Sequence, residues 1–326
     1  AAGFAAESAK PAHKGIALTP LHKTVADDGS VRYSALEIEL DRVGGTATLV
    51  INGPDAPPPS DMDAFLAAGA DAYMLRLARE LDDAILHLRL NEREAGLLLF
   101  HSQGDPESLL SHEAQLHASA DHWLANEVLL YWKRVLKRVD VTSRSMAALV
   151  EHGSCFAGVL AELLFAVDRS YMMEDEFEGD NRPIATITLS SSNLGMMPMA
   201  NGLSRLATRF LGEPETLQAV EATAGTPLDA DDARTHGLVT FAYDDVDWED
   251  ELRIFIEERA SFSPDAMTGM EANLRFAGPE TMETRIFGRL TAWQNWIFQR
   301  PNAAGEEGAL QRYGSGVRGK YNMERV

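Results

Sequence analysis

EHGSCFAGVLAELLFAVDRSY (residues 151–171) joins a polar turn of small residues to an apolar helix that carries one glutamate and ends near an aspartate. The apolar run MAALV (146–150) precedes it and predicts a buried strand. A strand that enters such a turn places free backbone N–H groups at the start of a helix. Because the helix dipole favours negative charge at this end, the segment predicts an oxyanion-binding site near Gly158.

Strand and helix patterns alternate on both sides of this segment. Residues 35–51 alternate apolar and polar side chains around Gly44-Gly45 and predict a β-hairpin. Leu77 and Leu81 belong to an apolar stripe at helical spacing, and AGLLLFHS (95–102) predicts the next strand. The alternation continues to residue 243, which predicts α/β layers with parallel strand pairing.

The two ends of the chain differ from this module, which is expected over residues 31–245. Residues 1–30 are rich in Ala, Pro and Lys and predict an irregular linker. The first residue is not Met, so we expect the chain to continue a longer polypeptide. From residue 246 to 326 the patterns are helical, and Pro279 is typical of a helix start.

The composition excludes several function classes. The 326 residues include 29 basic and 50 acidic side chains, for a formal net charge of −21. Such a surface repels phosphate backbones and anionic lipid, so neither nucleic acid nor membrane is an expected partner. No apolar run approaches the roughly 20 residues of a spanning helix. Cys155 is the one cysteine, so no internal disulfide can form, which fits the cytoplasm.

Four histidines and one cysteine could carry chemistry independently of this fold. The histidines are His101, His112, His117 and His122. They follow no metal-ligand spacing, so we expect exposed helix histidines and no metal. For Cys155 two interpretations stay open, because a helix start lowers a thiol pKa, whereas lone cysteines commonly serve as small buried apolar residues. The turn has neither the spacing of a nucleophile elbow nor a phosphate-binding loop.

Several spacings over about residues 35–245 resemble the crotonase (enoyl-CoA hydratase/isomerase) family. The positions that keep this family's distances are Gly158, Glu162, Asp168, Gly195, Pro198, Arg205 and Leu206. LDADDARTHGLVTF (228–241) matches the family's next signature. The resemblance implies an α/β fold, a layered ββα spiral, with a site that holds an acyl-CoA thioester carbonyl in an oxyanion hole.

The family's functional positions are incomplete in this chain. Hydratases of the family use two glutamates. Glu162 lies at the first position and Ser191 at the second, where a serine cannot act as a carboxylate base. The glycine triplet is reduced to Gly158, and the second oxyanion loop is not recognisable in residues 101–110. Losing one oxyanion donor typically costs about 10²–10³ in rate. A stand-alone hydratase or isomerase that uses Glu162 with Cys155 or Ser191 stays an alternative, as does a CoA-binding module without chemistry.

Residues 263–310, 13–25 and 213–241 resemble the benzoyl-CoA-dihydrodiol lyases, a divergent branch of the crotonases, so this resemblance covers nearly the whole chain. It implies the C-terminal half of a carbon–carbon lyase, of the aldehyde-lyase type, in aerobic benzoate degradation. The implied reaction converts 2,3-epoxy- or dihydrodiol-benzoyl-CoA and water to 3,4-dehydroadipyl-CoA semialdehyde and formate. CoA then enters only as part of the substrate, and no cofactor is expected.

This resemblance also implies how the work is divided. The N-terminal half of the same polypeptide would hold the CoA site and the catalytic glutamates and cysteine, so no catalytic residue is expected on this chain. The chain would act mainly as scaffold and dimer interface in a cytoplasmic homodimer. Trp293, Trp296 and Phe298 are the expected interface, with ordinary packing inside the chain as the alternative.

Overall fold

The computed structural model describes residues 2–7, 14–174, 179, 181–317 and 319–324. The strands are β1 (Thr24–Val25), β2 (Val31–Arg32), β3 (Leu36–Asp41), β4 (Thr46–Asn52), β5 (Leu97–Gln103), β6 (Ser145–Val150), β7 (Arg169–Met173), β8 (Ile187–Thr188), β9 (Pro227–Leu228) and β10 (Phe241–Tyr243). The helices of the first part are α1 (Ala2–Glu7), α2 (Met62–Ala68), α3 (Tyr73–Asn91), α4 (Pro106–Ala118), α5 (Trp123–Asp140) and α6 (Gly158–Ala166).

The remaining helices follow in chain order. They are α7 (Arg205–Arg209), α8 (Pro214–Glu221), α9 (Ala230–Thr235), α10 (Asp245–Ala260), α11 (Pro264–Leu274), α12 (Met282–Arg285), α13 (Thr291–Ile297), α14 (Pro301–Ala304) and α15 (Ala309–Arg312). A 3₁₀ turn at Gly69–Asp71 joins α2 to α3, and π-type turns cover Ser192–Met196 and Ile286–Leu290. Among the described residues, no helix is both long and apolar enough to cross a bilayer.

The main sheet has the strand order β1-β2-β3-β4-β5-β6-β7-β10. Its first four strands are antiparallel, whereas β4, β5, β6, β7 and β10 run parallel. The hairpin and the parallel pairing predicted from the sequence are therefore confirmed. A second, two-stranded sheet pairs β8 with β9, and Ala157 bridges to Thr188, which brings the chain after β8 close to the start of α6.

The core lies between the main sheet and the helices packed on it. α3 contacts α5, and α5 contacts α6. Trp132 is fully buried and donates from Nε1 to the Met74 carbonyl at 2.9 Å, which ties α5 to α3. Leu77 and Leu81 are fully buried, as their spacing predicts. α6 contacts both β6 and α4, so the sheet and two helices fix its position.

The structure differs from the predicted boundaries at both ends. Residues 1–30, predicted as an irregular linker, contain α1 and β1. β1 pairs with β2 at the edge of the main sheet, a two-residue pairing too short to leave a pattern in the sequence. Helices α10 to α15 confirm the helical character beyond residue 246. Trp248, Leu252 and Phe255 of α10 nevertheless lie in the main core, so the packing continues across residue 245.

Candidate functional site

The start of α6 is the feature from which the site is built. β6 is buried along its whole length and leads through residues 151–157 to Gly158. Gly158 has a φ of +48°, where residues with side chains are strained. A Cβ at this position would also collide with the carboxylate of Glu113. The backbone conformation therefore favours glycine here, and a side chain at this position would also displace the Glu113 carboxylate.

Glu113 of α4 fills the space in front of this helix start. Its side chain is buried, and Oε2 accepts a hydrogen bond from the Val159 backbone N–H at 2.5 Å. Oε1 accepts a hydrogen bond from the Ser190 hydroxyl. A negative charge is stabilised at a helix N-terminus by the free amides and the dipole. The Glu113 carboxylate thus accepts the hydrogen bond of the Val159 amide, which an oxyanion would need.

Glu162 lies one turn further along α6 and is fully buried. Its Oε1 accepts from Asn193 Nδ2 at 2.8 Å, and its Oε2 pairs with Arg205 Nη1 at 2.6 Å. Arg205 also makes a two-pronged ion pair with Asp140, from Nε at 2.9 Å and from Nη2 at 2.7 Å. Both carboxylate oxygens of Glu162 are therefore held by protein groups.

The buried Asp140–Arg205–Glu162 cluster has one cation for two carboxyl groups. Burial raises the pKa of Glu162, with Arg205 acting in the opposite direction. The pKa of Asp140 is raised for the same reason. Burial acts to lower the pKa of Arg205, but the two carboxylates together outweigh this effect and raise it, so its guanidinium stays charged. Because this cluster joins α5, α6 and α7 inside the core, its geometry is that of a structural ion pair.

Ser191 lies apart from Glu162, in a cluster with His117. Its Oγ contacts His117 Nδ1 at 3.0 Å, while Ser192 Oγ contacts His117 Nε2 at 3.3 Å. Each nitrogen of this imidazole thus faces a hydroxyl. Ser190, the preceding residue, bonds Glu113 instead. The serines after β8 consequently bind two residues of α4 and not the glutamate of α6.

The chain is similar to known proteins both in sequence and in fold. The chain is 47% identical, over its full length, to a benzoyl-CoA-dihydrodiol lyase from Aromatoleum evansii and spans 58% of that protein. An enoyl-CoA hydratase from Bacillus anthracis superposes with a TM-score of 0.62 at 14% identity, over 89% of this chain and all of the other. The chain has the crotonase fold. An enoyl-CoA hydratase/isomerase from Marinobacter aquaeolei gives a TM-score of 0.60 at 16% identity, over 88% and 98% of the two chains.

The crotonase fold confirms the fold class predicted from the spacings around Gly158 and Glu162. No protein-family model matches the sequence. The chain spans less than two thirds of the lyase that it resembles, and at 58% it is longer than the half that the sequence predicted.

Cys155 is a buried residue at the turn before α6. Its side chain is fully buried, and burial raises the pKa of its thiol to about 11. Its backbone N–H donates to Ser102 Oγ at 3.0 Å. Desolvation therefore outweighs the nearby helix start, and the thiol is protonated at neutral pH. Among the described residues, no hydrogen bond joins Cys155 or Ser191 to Glu162.

Of the four histidines predicted at exposed helix positions, His112 and His117 lie in α4, and all four are buried or half-buried. His101 lies on β5 and pairs with Glu151 at 2.9 Å. His112 is buried, and its Nε2 contacts the Ala56 carbonyl at 2.9 Å. His122 caps α5 by accepting from the Leu124 amide at 3.3 Å. The described part of the chain contains no group of three or more His, Cys, Asp or Glu that could hold a metal ion.

Asp168, the second acid of the crotonase spacing, joins the sheet to the C-terminal helices. It accepts from the Met146 amide at 2.7 Å and pairs with Arg275 at 2.9 Å. Glu271 also pairs with Arg275, at 3.1 Å, and accepts from Ser145 at 3.2 Å. Burial and the nearby Asp168 raise the pKa of Glu271 to about 8. Asp168 is thus a structural link between β6, β7 and α11.

The predicted interface residues lie on α13 and just beyond it. Trp293 and Trp296 are half-buried and pack edge to face, with ring centroids 5.4 Å apart. Trp296 also lies beneath Arg300, at 5.3 Å from its ring centroid. Phe298 is 49% exposed. The two tryptophans therefore pack partly within the chain, while Phe298 adds to an exposed apolar surface.

Sequence reasoning missed Glu113 and the role of Arg205 in this site. Glu113 lies on α4 between buried Leu109 and Leu116, at helical spacing. An acid on an otherwise apolar stripe is the signal that could have identified it. Arg205 was expected only as a position in the family's spacing. Its partner Asp140 lies 65 residues away, and no local pattern marks such a pair.

Proposed function

We propose that this chain is the scaffold part of a larger CoA-thioester lyase. The parent enzyme would open 2,3-epoxy- or dihydrodiol-benzoyl-CoA with water, to 3,4-dehydroadipyl-CoA semialdehyde and formate. The 47% identity to a benzoyl-CoA-dihydrodiol lyase supports this substrate class. In this proposal the remaining part of the parent protein carries the catalytic groups, works in the cytoplasm, and uses CoA only as part of the substrate.

The observation that carries the proposal is that protein groups occupy both halves of the crotonase site. A general acid or base must come within hydrogen-bond reach of the proton that it moves. Glu162 is fully buried, and its two oxygens bind Asn193 and Arg205. The Val159 amide, which would stabilise an oxyanion, donates to Glu113. A thioester would have to displace the contacts of the Glu113 and Glu162 carboxylates before any chemistry could begin.

The scaffold role requires a surface that meets the rest of the parent enzyme or a second copy. The stretch from Met282 to Phe298 offers one. Met282, Phe287 and Leu290 are 69%, 72% and 51% exposed, and Ile286 is 37% exposed. Contiguous apolar side chains of this kind mark interaction sites on soluble proteins. We propose that these four side chains form the dimer interface together with Phe298.

Complementation tests the proposal. The part of the parent protein that this chain lacks is produced alone, and then together with residues 1–326, and acyl-CoA ring opening is measured in both preparations. We expect turnover to require the missing part and to increase when this chain is added. Turnover by residues 1–326 alone, at the rate of the complete enzyme, would contradict a scaffold role.

Substitution separates the scaffold from the rival hydratase. The matched variants are Glu162→Gln and, on the exposed surface, Glu257→Gln. Any residual hydration of an enoyl-CoA by the chain alone is expected to be equal in the two variants. A loss confined to Glu162→Gln, with the fold intact by circular dichroism, would identify Glu162 as a catalytic acid or base.

A further inference from the structure

A cleft of about 280 Å³ lies at the C-terminal end of α6, between α7, the last turn of α10, and α11. The charged residues that line it are Arg205, Arg209, Arg259, Arg275, Asp140, Asp168 and Glu271. Four guanidinium groups and three carboxyl groups line it, and Glu162, which pairs with Arg205, is a fourth carboxyl group next to the lining. The whole chain has 29 basic and 50 acidic side chains and a formal net charge of −21, so this lining is richer in cations than the rest of the protein.

The cleft shares Asp140 and Arg205 with the buried cluster around Glu162, but it lies at the opposite end of α6 from the Val159 amide. Gly158 begins α6, whereas Phe165, Val167 and Asp168 line the cleft at the other end of that helix. At 1.5 Å per residue, a nine-residue helix separates its two ends by roughly 13 Å. A ligand in the cleft therefore would not contact the amide of Val159.

Two of the four arginines already have carboxylate partners. Arg205 pairs with Asp140 at 2.7 Å, and Arg275 pairs with Asp168 at 2.9 Å. The two arginines that remain for a ligand are Arg209 and Arg259. Within the described ranges, neither of these two forms an ion pair with a carboxylate.

The contacts of the two unpaired arginines leave donor groups free. Arg209 donates from Nε to the Gly237 carbonyl at 2.6 Å. Arg259 approaches Ser145 Oγ at 3.5 Å and lies 5.8 Å from the ring centroids of Phe255 and Phe262. Burial lowers the pKa of Arg209, and no neighbouring carboxylate opposes this effect. A partly buried cation without a counter-charge is unfavourable, and a bound anion would compensate it.

We propose that this cleft binds a small phosphate-type anion between Arg209 and Arg259. Each guanidinium presents a planar fork of N–H donors that matches the oxygens of a phosphate, and two forks from different helices can hold one tetrahedral anion. The volume lies below the roughly 300–1,000 Å³ of sites for drug-sized ligands, which favours an ion or a small phosphomonoester over a nucleotide. The bound anion would join α7 to α10.

Titration calorimetry of the 326-residue chain, in a buffer without phosphate, tests this site. Inorganic phosphate and glycerol phosphate are the two probes, and succinate is the comparison anion. We expect saturable binding of a phosphate probe and an increase in Tm that follows its concentration. A lower Kd for glycerol phosphate would indicate a phosphomonoester as the ligand, and a lower Kd for inorganic phosphate would indicate the free ion.

Variants on the cleft and outside it decide whether these arginines hold the anion. Arg209→Gln and Arg259→Gln are each expected to raise the Kd by at least about tenfold, and Arg259→Gln carries the test if Arg209→Gln does not fold. Arg253→Gln, on the exposed face of α10, should leave the Kd unchanged. Absence of saturable binding, equally tight succinate binding, or the same loss in Arg253→Gln would overturn the proposal. It does not depend on the scaffold function, because its readout is binding and not turnover.

Discussion

Replacing Arg205 by Gln tests how the buried cluster at the crotonase site is held together. Arg205 is 2% exposed, pairs with Asp140 at 2.7 Å and Glu162 at 2.6 Å, and donates to the Met197 carbonyl at 3.0 Å. Arg205→Gln leaves both carboxylates buried without their cation. Breaking a buried pair typically costs about 3–5 kcal/mol, and two carboxylates depend on this one arginine. At roughly 2–4 °C per kcal/mol, we expect Tm to fall by about 6–20 °C.

The effect on pH dependence makes this prediction specific. Burial raises the pKa of Asp140 and of Glu162. In the folded variant, these two groups can therefore stay protonated at a pH at which they are ionised in the unfolded chain. A raised pKa in the folded state means that stability is lost as the pH rises through it. Urea unfolding, followed by tryptophan fluorescence, should therefore show a smaller deficit for Arg205→Gln at pH 5.5 than at pH 8. Arg253→Gln, an exposed arginine, is the matched control. A deficit equal to the control's, or equal at both pH values, would refute the reasoning.

Three further predictions follow from buried or exposed side chains. Because the thiol of Cys155 is buried and has a pKa of about 11, a thiol reagent should label it only in denaturant, and rapid labelling of the folded chain would contradict this. The pKa of Glu271 is raised to about 8, so the free energy of unfolding should fall between about pH 5 and 8, by at most about 1.4 kcal/mol per pH unit. Glu271→Gln should flatten this slope, and an unchanged slope would exclude Glu271 as its source. Phe287→Ser combined with Leu290→Ser should reduce self-association in analytical ultracentrifugation, whereas Val43→Ser, at another exposed apolar site, should not. Equal association of both variants would place the interface elsewhere.

Local periodicity explains why the sequence predicted most of the fold. The hairpin from Leu36 to Asn52 alternates side chains, and its register follows from that alternation. The buried face of α3, with Leu77 and Leu81, follows from helical spacing. Short elements such as β1, with two residues, carry too few side chains to show a period. The predicted linker was wrong at this strand for that reason.

The candidate site was less predictable, because its contacts join residues far apart in the chain. The glutamate at residue 162 was identified by spacing, but its partner Arg205 lies 43 residues away. Glu113 reaches the Val159 amide across 46 residues. For Cys155, the sequence left a reactive thiol and a small buried residue both open, and the burial that raises its pKa depends on the assembled core. Ion pairing and burial decide the chemistry here, and both arise only from tertiary packing.

Enoyl-CoA turnover by the 326-residue chain alone is the most direct test of the central claim, that its own carboxylate contacts fill the crotonase site. Purified chain and the Glu162→Gln variant are compared with buffer, using the loss of the enoyl-thioester absorbance. The account predicts the same background rate in all three samples. A rate above buffer for the unmodified chain that disappears in Glu162→Gln would contradict it.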